Sequence, residues 1–291
     1  MSDLFEKEKD VMFNFIERNL ARSPKDMDEG IGTVYERKMI DEYMGSLIDR
    51  FGIENLLESP ADGVTGYLGI NSLEIGRRGV PVTLANPSQA MLDAAKEAWV
   101  KKGLADMVTI ARGEVDALPF EDNSFDVVWN FCMFERFTDP TIMTNEMKRV
   151  SRRFVLFLTQ NSLNVGTYQH YLYHRCMKQE WDHGRMELMR LGPIRKAMKD
   201  CGLAVVEEGA LDTPPWMDTW DMPLRGEMKG LLSMFGKKWD WKSQEKHEAE
   251  KPASESGVVD KLIWVEKNLP RWFNIFQTHH LYVLGEKQAV R

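Results

Sequence analysis

The residues best suited to chemistry lie in the stretch NSLNVGTYQHYLYHRCMKQEWDHG, which covers residues 161–184. It holds His170, His174 and His183, and an imidazole titrates close to neutral pH, so each can act as a general base. His170 and His174 are four residues apart and would share one face of a helix, with Cys176 and His183 nearby. Because no third ligand has a convincing spacing, we interpret these histidines as solvated or packed side chains and predict no metal site.

A second candidate group surrounds a glycine-rich turn. The apolar segment at residues 56–58 ends in Glu58 and is followed by Gly63, Gly66 and Gly69. Glycines let backbone N–H groups approach a ligand closely, because they carry no Cβ and accept positive φ. The pattern therefore predicts a strand that leads into a ligand-binding turn, with an acid at its mouth.

These groups must be positioned by elements in which strands alternate with helices. Such alternation is typical of an α/β protein with a parallel sheet and helices on both faces. Ligands of such sheets bind outside the carboxyl ends of the strands. The predicted strands are 56–58, 82–85, 108–111, 125–131, 154–159, 203–207 and 280–284, and the predicted core helices are 68–78, 88–102, 141–150 and 193–200.

Composition limits the class of protein. The chain has 291 residues, of which 43% are hydrophobic, and this excludes a disordered protein. A net charge of −7 gives no electrostatic reason to expect a nucleic acid or an anionic membrane as partner. The three cysteines form no CxxC pair, no secretory leader is visible, and no apolar run reaches the ~20 residues of a bilayer span. We therefore expect a cytoplasmic protein.

We predict one domain with three parts. Helices at residues 1–50 precede a core at 51–210 and 260–291, and an insertion at 211–259 separates the last two strands. The insertion contains TPPWMDTWDMPLRG and, at 236–257, a charged, Ser-rich run that is typical of a mobile loop.

Two further motifs follow in the order of these elements, LPFEDNSFDVVWNF at residues 118–131 and FTDP at 137–140. Together they resemble the class I S-adenosylmethionine-dependent methyltransferases of the type 11-like group, over roughly residues 50–160 and more loosely 193–210 and 262–287. The resemblance implies a doubly wound, Rossmann-like sheet of seven mostly parallel strands, with the last strand inserted antiparallel beside the sixth. It also implies S-adenosyl-L-methionine as the cofactor, bound across the carboxyl ends of the first strands.

The same resemblance implies which residues bind the methyl donor. Pro60 and Asp62 depart from it, because they stand where glycines are expected. Asn86 stands where the family has an acid that takes both ribose hydroxyls, so we expect weaker ribose binding, since neutral hydrogen bonds are weaker than charged ones. The implied cofactor-binding residues are Glu58, Gly63 and Gly66 at the methionine end, Asn86 at the ribose, Glu114 and Val115 at the adenine, and Asn130 along the methionine portion.

Methyl transfer from a sulfonium needs alignment, a dry pocket and often a base for the acceptor's proton. We predict His170, His183 or Glu135 as that base, and Glu135 stands where many relatives carry a histidine. The acceptor would be a small or medium organic molecule over the ends of the fourth and fifth strands. The predicted substrate-binding residues are Tyr168, His174, Trp181, Trp216 and Trp220.

Other interpretations stay open at this stage. A dinucleotide-dependent oxidoreductase would need GxGxxG after the first strand, whereas the glycines here follow GxxGxxG and Asn86 is no acid. A non-catalytic binding or regulatory protein of the same shape is favoured by the weakened cofactor positions, because fold does not fix function. The aromatic and histidine-rich segment argues against it. A homodimer also stays open.

Overall fold

A seven-stranded sheet runs through the described part of the chain. The computed structural model describes residues 7–8, 28–29, 31–61, 67–178, 181, 183–212, 242–243, 261 and 263–288. The strands of the sheet are β1 (Leu56–Glu58), β2 (Val82–Asn86), β3 (Val108–Arg112), β4 (Phe125–Phe131), β5 (Ser151–Gln160), β6 (Leu203–Leu211) and β7 (His280–Lys287). The helices are α1 (Ile31–Phe51), α2 (Leu73–Arg77), α3 (Gln89–Lys101), α4 (Thr141–Val150), α5 (Val165–Cys176), α6 (Leu191–Asp200) and α7 (Arg271–Gln277).

The strands are ordered β3-β2-β1-β4-β5-β7-β6 across the sheet. Neighbours from β3 to β5 are parallel, and β7 is antiparallel to both β5 and β6. The strand order reverses at β1, and this is the place where open α/β sheets bind ligands. The predicted fold class, including the inserted antiparallel strand, is confirmed.

The centre of the sheet is buried on both faces. Every residue of β4 except Asp126 is buried, and so is the Phe154–Thr159 part of β5. Trp129, Phe154 and Phe157 are each 0% exposed. Strands covered on both faces have continuous apolar sequences instead of alternating ones, and this is the pattern of both strands. Side chains at their carboxyl ends therefore project from a rigid support.

Several boundaries agree with the prediction to the residue, namely β1, β4 and α4. The helix predicted at 68–78 is shorter, because a 3-10 turn at Ile70–Ser72 precedes α2. Gly69 before that turn has φ of 71°, and a Cβ there would lie 2.5 Å from Leu84 Cδ1. Only glycine lets the turn approach β2 this closely.

The last two strands are longer than predicted. β6 and β7 pair from Leu203↔Lys287 to Leu211↔His280, past the apolar runs that hydropathy detects. The predicted N-terminal helical part contains α1, and of the predicted insertion the structure describes only residues 211–212 and 242–243. Among the described helices, none is both long enough and apolar enough to cross a bilayer.

Candidate active site

The carboxyl end of β1 carries a buried acid. Glu58 is 1% exposed, and its Oε2 accepts a 2.5 Å hydrogen bond from Ser72 Oγ in the turn before α2. This contact ties the end of β1 to the start of the following helix. Gly63 and Gly66, predicted to bind the methionine end of the donor, lie outside the described residues.

The residues directly after Glu58 lie between the ends of β4 and β2. Ser59 N donates to Trp129 O at 2.9 Å, and Ala61 N donates to Ala85 O at 2.8 Å. Pro60, between them, is buried. These two hydrogen bonds hold Ser59 and Ala61 against the ends of β4 and β2, and Ser59 and Pro60 form a turn after β1.

Asn86, at the end of β2, is fully buried and bonded on both sides of its carboxamide. Its Nδ2 donates to Ala61 O at 3.0 Å, and its Oδ1 accepts from Ser88 N at 2.8 Å. An amide can hold a backbone carbonyl in this way, and an ionised carboxylate cannot, because it has no proton to donate. One donor hydrogen and one acceptor lone pair of Asn86 remain for a ligand.

We expect Asn86→Asp to lower the free energy of unfolding by about 1–3 kcal/mol at pH 7, since a buried carboxylate would face the Ala61 oxygen without a proton between them. The loss should shrink at pH 4.5, where a protonated aspartate donates to the same oxygen. Urea unfolding of variant and wild type at both pH values measures this. If the variant lost the same free energy of unfolding at both pH values, the hydrogen bond to Ala61 O would not be what holds Asn86.

The end of β3 lies beside the end of β2. Gly113 N donates to Asn86 O at 3.3 Å, which brings the following residues to the same edge of the sheet. Glu114 is exposed there and Val115 is 1% exposed. The positions predicted for ribose and adenine contacts are therefore neighbours.

Asn130 is buried at the end of β4 with an unused acceptor. Its Nδ2 donates to Ser59 O at 3.3 Å and lies 3.5 and 3.4 Å from the sulfurs of Met143 and Met147. Within the described residues its Oδ1 has no hydrogen-bond partner. A buried acceptor without a partner costs about 1–3 kcal/mol, so this oxygen fits a site that a donor group, such as an ammonium, completes.

Glu135 follows β4 in a short 3-10 turn and is fully buried. Its Oε1 accepts from Gln160 N at 3.2 Å, whereas its Oε2 has no hydrogen-bond partner in the described part of the chain. Burial raises the pKa of Glu135 to about 7. A carboxyl group with this pKa exchanges its proton near neutral pH.

A short segment covers Glu135. Arg185 N donates to Glu135 O at 2.7 Å, and a Cβ added to Gly184 would lie 2.7 Å from Glu135 Cγ. Gly184 has φ of 106°, in the region that favours glycine. The chain can therefore pass directly over the glutamate only with glycine at this position.

The three histidines of the sequence motif come together. His170 Nε2 and His174 Nε2 are 2.9 Å apart on α5, and the His183 ring lies 4.6 and 5.3 Å from their centroids. Trp181 packs against all three rings, with centroid distances of 4.7–5.5 Å. Burial, followed by the neighbouring imidazoles, lowers the pKa of His170 to about 4 and that of His183 to about 3. Both rings are therefore neutral at pH 7.

The structure places the remaining acceptor candidates in different surroundings. Tyr168 is 55% exposed and its ring centroid lies 6.4 Å from that of Tyr171, whereas His174 and Trp181 line a cleft of about 210 Å³ together with Tyr171 and Arg175. Trp216 and Trp220 lie outside the described residues. Of the five predicted substrate-binding residues, the structure thus describes Tyr168, His174 and Trp181.

A buried polar cluster near the start of β7 is absent from the sequence prediction. His280 Nδ1 and Asp212 Oδ2 are 2.7 Å apart, and Glu36 Oε2 lies 3.8 Å from the same nitrogen. His279 Nδ1 is 3.9 Å from Asp212 Oδ2. Burial, with the charge of His279 second, holds the pKa of His280 well below its ordinary value. The adjacent histidines at the start of a predicted strand were the only signal for this cluster in the sequence.

Comparison with known proteins agrees with this geometry. Residues 65–158 match the family model described as "Methyltransferase domain", from the turn after β1 into β5. A stretch of 64 residues is 38% identical to the ubiquinone/menaquinone biosynthesis C-methyltransferase UbiE of Brucella canis and covers 22% of this chain and 24% of that protein. The chain thus spans about a quarter of the length of this curated relative.

Solved structures share the fold at low identity. The cyclase SpnF superposes with a TM-score of 0.53 at 14% identity, over 86% of this chain and 81% of that one. The geranyl diphosphate C-methyltransferase of Streptomyces coelicolor A3(2) superposes with a TM-score of 0.50 at 13% identity, over 85% and 77%. At such identities the likeness shows the fold alone.

The sheet and its strand ends define a protein of the class I S-adenosylmethionine-dependent methyltransferase fold. Within this fold, residues 65–158 match a methyltransferase domain, and the predicted resemblance to this class is confirmed.

Proposed function

We propose that this protein transfers a methyl group from S-adenosyl-L-methionine to a small or medium organic acceptor. The observation that carries the proposal is the match of residues 65–158 to a methyltransferase domain, because this stretch contains β2, β3 and β4 and the strand ends at which the family binds its donor. The net charge of −7 supports a small molecule over a nucleic acid as the partner.

The described residues fit the amino-acid end of the donor. Glu58 offers a buried carboxylate at the end of β1, and Asn130 offers the buried acceptor without a partner at the end of β4. Both can accept hydrogen bonds from an ammonium group. At the nucleoside end, the candidates are Asn86 and Glu114. Asn86 can offer a ligand only the hydrogen bonds that remain after it has bonded Ala61 O and Ser88 N.

The bound donor supplies an electrophilic methyl group, so the chain's own task is to exclude water, align the acceptor and accept its proton. Among the predicted bases, Glu135 is best matched, because a base works best when its pKa lies near the working pH, and burial raises the pKa of Glu135 to about 7. His170 and His183, whose pKa values burial lowers to about 4 and about 3, are weak bases. The segment around Gly184 would have to move aside to admit an acceptor to Glu135.

Calorimetry with three ligands tests donor binding. S-adenosylmethionine and S-adenosylhomocysteine carry the amino-acid end, and methylthioadenosine lacks it. We expect Glu58→Gln to weaken the binding of S-adenosylhomocysteine by about 10–100-fold, because a charged hydrogen bond is lost. The affinity for methylthioadenosine should stay unchanged. Glu74→Gln is the control, since Glu74 is a surface acid of the following helix that pairs with Arg77.

The proposal would be overturned if wild-type protein gave no binding heat with S-adenosylmethionine or S-adenosylhomocysteine at millimolar concentration. If Glu58→Gln lowered the affinity for all three ligands equally, Glu58 would only maintain the fold of the site.

The second candidate is a non-catalytic binding protein of the same fold. The observation that favours it is the full burial of Asn86, whose carboxamide already bonds Ala61 and Ser88 where the family places a ribose-binding acid. Such a protein would give no heat with the methyl donor. The calorimetry described above separates the two functions.

A further inference from the structure

The side chains of His170, His174 and His183 form a compact cluster outside the proposed donor site. His170 and His174 occupy successive turns on one face of α5, and His183 comes from the segment that follows this helix. Their ring nitrogens lie within 4.8 Å of one another, and all three residues are half-buried. The sequence supplied two of these ligands at helical spacing, and the fold of the following segment brings the third.

Simple ring packing accounts for only part of this arrangement. A hydrogen bond between two neutral imidazoles explains the 2.9 Å contact of His170 and His174. It does not explain why a third imidazole, from a separate segment, brings a nitrogen within 4.8 Å of the other two.

We propose that His170, His174 and His183 bind a divalent transition-metal ion of the zinc type. With Zn–N bonds of 2.0–2.1 Å, the nitrogens of a tetrahedral site lie about 3.4 Å apart. The separations in the cluster bracket that spacing, since His170 Nε2 and His174 Nε2 are 2.9 Å apart and all three ligand nitrogens lie within 4.8 Å of one another. Imidazole suits zinc, copper, nickel and iron, and three neutral ligands with one open position are typical of catalytic zinc sites.

The surroundings leave room for a fourth ligand. The cleft of about 210 Å³ is lined by Tyr171, His174, Arg175 and Trp181, so an ion would approach the cluster past His174. The cluster stands close to the carboxyl end of β5, since α5 follows this strand directly. An ion held here would present its open position to water or to an oxygen, nitrogen or sulfur atom of a small molecule in the cleft. This inference does not depend on the proposed methyl transfer.

The buried cluster of Glu36, Asp212, His279 and His280 is the competing metal site within the described residues. Its four residues are buried, and His280 already contacts Asp212 at 2.7 Å. The cluster of three histidines borders a cleft through His174, which gives an ion a route to it from solvent. We therefore place the ion at His170, His174 and His183, and variants can distinguish the two sites.

The test measures zinc directly. Tag-free protein is stripped with a chelator, dialysed against Zn²⁺ and assayed for bound metal by mass spectrometry, and Co²⁺ is substituted to record the visible bands of a four-coordinate ion. We expect one zinc per chain and a four-coordinate cobalt spectrum. His170→Ala and His183→Ala should each weaken zinc binding by at least ~100-fold, more than the loss of an outer-shell partner usually costs.

Cys176→Ser is the matched control, because Cys176 is an exposed thiol at the end of the same helix and could bind zinc by itself. It should retain the full zinc content. Circular dichroism verifies that each variant is folded. If His183→Ala does not fold, His174→Ala replaces it as the second variant of the cluster.

Two results would overturn the proposal. One is the absence of stoichiometric zinc in wild-type protein. The other is zinc that survives both histidine variants and is lost in Asp212→Asn, because this result would place the ion in the buried carboxylate cluster.

Discussion

Glu135→Gln is expected to raise the free energy of unfolding by about 2–3 kcal/mol at pH 8 and to leave it nearly unchanged at pH 4.5. Burial raises the pKa of Glu135 from 4.5 to about 7. Between these two values the unfolded chain releases a proton that the folded chain retains, so the stability of wild-type protein falls as the pH rises from about 4.5 through 7. Glutamine has nearly the same shape and no proton to lose, and this removes the penalty.

Urea unfolding of wild type and variant from pH 4.5 to pH 8.5 measures the difference. Glu187→Gln is the control, because Glu187 lies on the covering segment with its side chain 70% exposed, and its variant should follow the wild-type curve. A variant of Glu135 that is no more stable than wild type at pH 8 would show that the buried carboxyl ionises without cost. If Glu135 is the proposed base, Glu135→Gln would make the protein more stable and less active, a trade-off that many active sites show.

Gly184→Ala is expected to destabilise the protein by about 2–4 kcal/mol, from backbone strain at a positive φ and from overpacking against Glu135. The added Cβ would lie 2.7 Å from Glu135 Cγ and 3.0 Å from its carbonyl oxygen. The oxygen belongs to the backbone and cannot rotate away. The covering segment must therefore lift, and it carries His183 with it.

The matched control is Gly192→Ala, in α6, where an added Cβ has no atom within 4 Å. That change should alter the free energy of unfolding by about 1 kcal/mol or less, because the higher helix propensity of alanine is offset by the restriction that Pro193 places on the residue before it. Urea midpoints of both variants give the comparison, and zinc titration of Gly184→Ala reports the displacement of His183. If the two glycine variants have equal stability, the segment does not press on Glu135.

The sequence predicted the sheet well, because its signals are local. β1, β4 and α4 each have an uninterrupted apolar or periodic pattern with clear ends, and their bounds agree to the residue. The places of Glu58 and Asn130 near strand ends follow from the bounds of β1 and β4, whereas Asn86 is the last residue of β2, one residue beyond the predicted strand.

The contacts within the site could not be predicted, because they join distant residues. Nothing in the sequence near Asn86 indicates that its amide holds Ala61, which lies on another strand end. The covering of Glu135 by Gly184 depends on where the chain goes after α5, and so does the third histidine of the cluster. Helical periodicity paired His170 with His174, but it carries no information about the direction of the segment beyond the helix.

The position of β7 inside the sheet constrains how a nascent chain assembles. β6 is synthesised before β7, yet β7 is its only neighbour among the described strands, so β6 cannot join the sheet until His280–Lys287 have left the ribosome. Until then, the earlier strands form a parallel sheet that ends in β5, a long apolar strand with unpaired backbone groups. Such an edge is a template for pairing with another chain, so the interval before β7 docks is when this protein is most exposed to aggregation during translation.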